Sequence, residues 1–190
     1  KKADYYAPGV SLGWTPLKWL TLSADYTYEY YKYTQQSRYR LPTVSNPAND
    51  WESRSKDEFH TVGLNAVLDL LPKKFDVSLG YVVTFGYTTI RNKNLGAFTT
   101  ALAQAFDYDK IYNVLQTVKV VARYHLTEKL QARLGYAYER YNERDFARDP
   151  MKPFMGDVDT SAAGIRSVFL GATQPNYEAH ILSAFLRYEF

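Results

Sequence analysis

The chain has 190 residues, 46% hydrophobic, 16% aromatic and 23% charged, so it holds enough apolar material for one folded domain and is not compositionally disordered. Its net charge of +3 comes from basic residues scattered singly among acids, which argues against a nucleic-acid partner. With no cysteine it forms no disulfide, no thiolate metal site and no Cys-x-x-Cys-His attachment for c-type haem, so any haem relevant to it belongs to a partner.

No segment approaches the ~18 apolar residues of a transmembrane helix, and no signal peptide precedes Lys1, as expected of a mature chain or a fragment. The absence of such a helix leaves membrane strands open, because a barrel strand shows only alternation, and a mean hydropathy of −0.41 suits a barrel with polar interior and loops. The eighteen tyrosines favour strands and surfaces where apolar and wet surroundings meet.

Period-2 alternation recurs along the chain, with no comparably sustained 3.6-residue pattern. A short first strand sets Val10, Leu12 and Trp14 against Ser11 and Gly13, and the turn Thr15-Pro16-Leu17-Lys18 follows. Leu20, Leu22, Ala24, Tyr26, Tyr28 and Tyr30 then alternate with Thr21, Ser23, Asp25, Thr27 and Glu29. Segments 62–70 and 75–85 flank the turn Pro72-Lys73-Lys74, and segments 118–126 and 130–138 flank Thr127-Glu128-Lys129. A last strand runs over 180–190, making about seven on this template.

The connections alternate between tight turns at 15–18, 72–74 and 127–129 and long polar stretches at about 34–57, 91–111 and 144–175. Outer-membrane barrels sort their connections this way, with short turns in the periplasm and long loops outside. Aromatics sort with them. Trp14, Trp19, Phe75, Tyr124 and Phe190 lie toward the short-turn end, and Tyr28, Tyr30, Phe85 and Tyr87 toward the long-loop end, as two interfacial girdles require. The last long connection is unusually apolar, with Met151, Phe154, Met155, Phe169 and Leu170, which suggests that it packs on something.

These features predict an all-β fold, a transmembrane antiparallel up-and-down β-barrel of the Gram-negative outer membrane. About seven strands would be part of a larger, even-stranded barrel, with 1–190 the C-terminal part of a single domain. The final strand stops on Phe190 with Tyr188 on the same face, which resembles the C-terminal signal read by the outer-membrane assembly machinery. If that strand descends to the periplasm, so does the first, and 1–8 lies outside. Two alternatives stay open: 1–7 ends an eighth strand, or a further strand lies within 95–110.

Several stretches carry a family likeness: Pro8-Gly9-Val10-Ser11-Leu12-Gly13-Trp14-Thr15-Pro16, Asp50-Trp51-Glu52-Ser53-Arg54-Ser55-Lys56-Asp57 leading to His60-Thr61-Val62-Gly63, Leu70-Leu71-Pro72-Lys73-Lys74, Leu134-Gly135-Tyr136-Ala137-Tyr138-Glu139-Arg140-Tyr141, and Asn176-Tyr177-Glu178-Ala179-His180. Together they resemble the C-terminal portion of the MtrB/PioB family, outer-membrane barrels associated with decahaem cytochromes. The resemblance implies a barrel that encloses a multihaem c-type cytochrome on the periplasmic side, with an extracellular cytochrome as a further candidate partner. Electrons would then cross the outer membrane along the partner's haems, this chain binding no cofactor. The other reading is a general diffusion porin or transporter barrel with no cytochrome partner.

The residues expected to face the lumen or a partner are Asp25, Glu29, Lys119, Arg123, His125 and Arg133, among inward positions that are mostly small or polar. Charges of both signs occur there, whereas a selective pore often concentrates one sign. His125 is placed at the periplasmic mouth, where a haem propionate or other polar group could meet it. His60 and His180 fall on the outward face near the outer ends of their strands, too far from His125 for a shared cluster. No nucleophile or metal-ligand spacing accompanies them, so no enzyme activity is expected.

Overall fold

The computed structural model describes residues 2–38, 45–97, 104–146, 154–155, 168–169 and 176–190. Its strands are β1 (Lys2–Tyr6), β2 (Gly9–Leu17), β3 (Leu20–Arg38), β4 (Asp50–Leu71), β5 (Phe75–Asn94), β6 (Ile111–His125), β7 (Leu130–Arg144), β8 (Phe154–Met155), β9 (Val168–Phe169) and β10 (Tyr177–Tyr188). All but β8 and β9 form one antiparallel sheet in the order β1-β3-β4-β5-β6-β7-β10, with β2 also on β3, so each column is the chain neighbour of the last. This is the up-and-down arrangement that alternation and short turns require. The sheet is open, with edges at β1/β2 and at β10.

Two of the expected boundaries change. β1 forms no further column, as the alternative in which 1–7 ends an eighth strand would require: β1 and β2 pair with β3 in one continuous register, Tyr6 opposite Tyr30 and Gly9 opposite Thr27. Pro8 interrupts them because it has no N–H for the ladder, though its carbonyl still accepts from Tyr28 N–H at 2.9 Å. The expected loops at 34–57 and 91–111 are shortened by strand at their ends, since β3 runs to Arg38, β4 starts at Asp50 and β5 reaches Asn94. Past the apolar band both faces turn polar and alternation vanishes, yet the ladder continues on cross-strand polar pairs. Arg38 and Asp50 form an ion pair, and Gln36 donates to Glu52 at 2.9 Å. No strand is described within 104–110; the rest of 95–110 lies partly outside the described residues. Of the connection at 144–175, β8 pairs with β9 and most of the remainder, Met151 and Leu170 included, lies outside the described residues.

The short turns have local causes. Pro72 presets the backbone of its turn, Lys73 adopts a left-handed φ of 61°, and Lys74 N–H donates to Leu71 O at 2.8 Å. At the other, Thr127 Oγ1 accepts from Lys129 N–H and Leu130 N–H at 3.2 and 3.0 Å, a side-chain-stapled turn.

Register assigns each strand residue to a face. One ladder row on the apolar face reads Trp14, Leu22, Ala66, Leu79, Val120, Tyr136, Leu182, and the next reads Leu12, Ala24, Leu64, Tyr81, Val118, Tyr138, His180. Among the described residues only Val121 is a buried hydrophobic, while Leu182 is 83% and Leu186 74% exposed. A soluble domain cannot leave a continuous face of this kind in water; a lipid-facing wall requires it.

An internal repeat emerges from the pairing. Tyr26-Thr27-Tyr28-Glu29 on β3 faces Glu58-Phe59-His60 on β4, and Tyr136-Ala137-Tyr138-Glu139 on β7 faces Glu178-Ala179-His180 on β10. In each unit the second tyrosine lies opposite the histidine with ring centroids 5.1 Å apart. The first tyrosine's hydroxyl shares a hydrogen bond with the histidine Nδ1, at 2.8 Å for Tyr26–His60 and 2.9 Å for Tyr136–His180. In the ladder His60 is level with Phe85, Val114 and Asn142, whereas His180 is level with Tyr138, so the two histidines are offset by four residues across four inter-strand steps. At ~3.3 Å per residue and ~4.8 Å per step, placing both at one membrane height requires a strand tilt of about 35°, within the range of outer-membrane barrels.

Candidate functional site: the lumen-facing wall

The outward face anchors the wall. Near the short turns Phe75 meets Tyr124 and Tyr188 meets Phe190, with centroids 6.2 and 5.2 Å apart. Near the other end Tyr6 stacks on Tyr30 at 4.6 Å, His60 on Phe85 at 5.1 Å, and Tyr87 approaches Tyr112 at 6.3 Å. His60 and His180 belong to this upper girdle, so their polar tips are satisfied by tyrosine hydroxyls where apolar and wet regions meet.

The inward face is built to lie flat. Gly63 and Gly86 are buried because side chains from the neighbouring strand lie across them: a Cβ on Gly63 would land on the Asp25 carboxylate, and one on Gly86 on the Phe59 ring. Asn65 Oδ1 covers Gly80 and Ser183 Oγ covers Gly135, at 3.0 and 2.6 Å from where a Cβ would sit. At these four places the side chains run along the wall instead of into the lumen. Not all wall residues are polar: Val67, Val82, Leu115, Val121, Ile181 and Phe185 share this face by register, among neighbours that are mostly small or polar. The two hidden glycines and Phe59 were not singled out from the sequence, since their roles depend on cross-strand partners fixed only by register.

The six candidate residues share one face of the sheet by register, at different places. Asp25 on β3 covers Gly63 on β4, and Glu29 accepts from Tyr5 Oη at 3.0 Å. The repeat counterpart of Glu29, Glu139, accepts likewise from Tyr177 Oη. Arg123 donates from Nε to Asp76 at 2.6 Å and from Nη2 to Ser78 Oγ at 2.5 Å. Arg133 stands directly opposite Arg123, and Lys119 lies on the same strand as Arg123; both are exposed and neither forms an ion pair or hydrogen bond among the described residues. His125 shares a 3.0 Å hydrogen bond with Gln131, at the short-turn end beside Arg187. The three histidines are not brought together, and no cluster of three or more metal-ligating side chains occurs among the described residues.

Above the membrane band the wall continues as a polar rim. Glu52, largely buried, accepts from Gln36 and from Arg54 Nε at 2.7 Å, with Lys93 Nζ at 3.5 Å. The hydrogen bond from Gln36, then that from Arg54, holds its carboxyl below the usual glutamate value, and Arg38 does the same for Asp50.

Comparison with known proteins agrees with this architecture. Residues 1–190 match the model of the family described as outer membrane beta-barrel porin, MtrB/PioB. No curated protein matches. Among solved structures the chain is similar to one titled copper transporter OprC, with a TM-score of 0.60, 12% identity, and 97% of this chain aligned to 28% of that one. At that identity the likeness speaks to the fold alone, and the chain spans little more than a quarter of that protein's length.

Proposed function

The chain belongs to the MtrB/PioB family of outer-membrane β-barrels, and from that premise we propose that it forms part of the wall and outer rim of a closed barrel that sheathes a multihaem c-type cytochrome. The partner's haems carry electrons across the outer membrane, and the barrel keeps lipid and its own backbone away from them. A bilayer core tolerates neither charged cofactors nor unpaired backbone groups, and a closed barrel satisfies both constraints. This chain has no cysteine for covalent haem attachment, so its residues position and insulate the carrier.

The observation that carries this reading is the flattened inner wall, where Asp25, Asn65, Phe59 and Ser183 lie across Gly63, Gly80, Gly86 and Gly135. A wall of this kind leaves the lumen clear for a close-fitting protein. Height supports it too: the 22 residues of β4 extend ~70 Å, or about 60 Å along the normal at the tilt above, against an apolar band of ~25 Å. The wall therefore encloses a path well beyond the bilayer. The family's description as porins supports the second reading, a diffusion pore without a cytochrome.

The test is affinity purification of the native closed barrel from outer membranes, followed by haem staining of denatured complexes. A stoichiometric co-purifying c-type haem protein supports the sheath. A haem-free barrel that passes small solutes assigns it to the porin class.

A further inference from the structure

The lumen charges are not evenly mixed along the barrel axis: both signs meet toward the periplasm, and acids alone occupy the outer half. Once the tilt is applied, Glu29 and Glu139 fall at the level of the two girdle histidines, and Asp57 and Glu143 lie farther out on the same face. No lysine or arginine faces the lumen beyond Lys119 on the described strands. Toward the periplasm, Lys119, Arg123, Arg133 and Arg187 gather on the adjoining strands β6, β7 and β10. The acids at this basic belt are Asp69, Asp76 and Glu189, with Arg123 bonded to Asp76 and Arg187 to Glu189. Asp25 sits near Lys119 in height, three columns away.

The belt's cations without an ion-pair partner among the described residues, Lys119 and Arg133, lie on the neighbouring strands β6 and β7. Arg123 and Arg133 are directly opposed across the β6–β7 ladder, an arrangement that is unfavourable unless an anion joins it. Asp76 serves Arg123, which leaves Arg133 and Lys119 exposed and aimed at the lumen.

We infer that the lumen fits a protein whose own charge is polarised along the axis, carboxylate-rich where it meets Lys119 and Arg133 and cationic where it meets Glu29 and Glu139. This rests on the sheath reading and adds to it the orientation of the occupant. Opposed charge at both levels fixes axial register and penalises entry in the reverse sense, because reversal sets like charges against each other at both ends. The duplicated unit places equivalent carboxylates, each bonded by a tyrosine, at one height on two separate hairpins, as an acidic collar requires.

The experiment compares three closed, full-length barrels for retention of the co-purifying c-type haem protein at low and high salt. They are the native barrel, Lys119→Glu with Arg133→Glu, and Glu29→Lys with Glu139→Lys. Each charge-reversed pair is expected to weaken retention at low salt by at least about tenfold and to flatten its salt dependence. Neutral pairs, Lys119→Gln with Arg133→Gln and Glu29→Gln with Glu139→Gln, replace any reversal that fails to assemble and are expected to show a smaller loss of the same sign. If the native barrel retains the haem protein and the substitutions change neither retention nor its salt dependence, the charge-polarity inference is overturned and the sheath stands. Tighter retention by either reversed pair overturns it equally. If the native barrel retains no haem protein, the sheath reading fails and this inference with it.

Discussion

Replacing Leu64 with Arg tests the assignment of faces. Leu64 lies four residues from His60 along β4, ~13 Å along the strand and ~11 Å along the membrane normal at the derived tilt, near the middle of a ~25 Å apolar band. It is half exposed, flanked by Ala24 and Tyr81 on the apolar face, so an arginine there has lipid as its surroundings. The expected cost is about 2–4 kcal/mol, a loss of roughly 30- to 800-fold in the folded-to-unfolded ratio. Asn65 is the adjacent control, pointing to the lumen between Ser23 and Gly80, and Asn65→Arg is expected to cost within about 0.5 kcal/mol. Both are read from reversible urea unfolding of the closed barrel in lipid vesicles. Equal penalties at the two positions would refute the assignment and point to a soluble two-layer fold.

Gly86→Ala is expected to destabilise by about 1–3 kcal/mol through overpacking, because its Cβ would meet Phe59 and lie 2.9 Å from Glu58 O, whereas Gly13→Ala, with open space around it, is expected to be tolerated; the same unfolding assay decides. The depressed Asp50 and Glu52 carboxyls contribute rim stability that is full above their ordinary values of 3.8 and 4.5 and is lost as pH falls through their lower folded values. Hydrogen exchange at the tips of β3 and β4 is therefore expected to be unchanged in protection from neutral pH to about 5 and to lose it in stronger acid; loss already near neutrality would contradict the ion-pair assignment. Tyr188→Ser with Phe190→Ser is expected to lower the amount of barrel reaching the outer membrane, measured by fractionation, since the two rings form the last aromatic contact of β10. Shortening 147–170 is expected to weaken binding of an extracellular cytochrome while leaving the barrel assembled, checked by pull-down and gel mobility.

Much of the wall is legible in the sequence because a single signal, apolar residues at every second position, encodes both the strand and its lipid face. Leu20 to Tyr30 shows this in one segment. Where the strands leave the membrane the signal ends, so β3 beyond Tyr33, and β4 before Asp57, reads as loop although the ladder persists. That the candidate residues share one face follows from parity alone. Their axial sorting was not visible, because height depends on register and tilt, which pairing supplies. The Tyr-x-Tyr-Glu and Glu-x-His repeats are present as letters, but their equivalence rests on His60 and His180 each facing the second tyrosine. Gly63 and Gly86 carry no special φ; their necessity comes from Asp25 and Phe59 on adjacent strands.

Electron passage across a sealed membrane tests the central claim most directly. Proteoliposomes holding an internal reduced donor would carry the closed barrel alone or the barrel with its co-purified c-type haem protein, and reduction of an external acceptor would be followed optically. Rapid external reduction with the complex, none with the barrel alone, and no leakage of small solutes through the complex are the results expected of a sheath. Electron passage by the barrel alone, or free solute passage through the assembled complex, would contradict it.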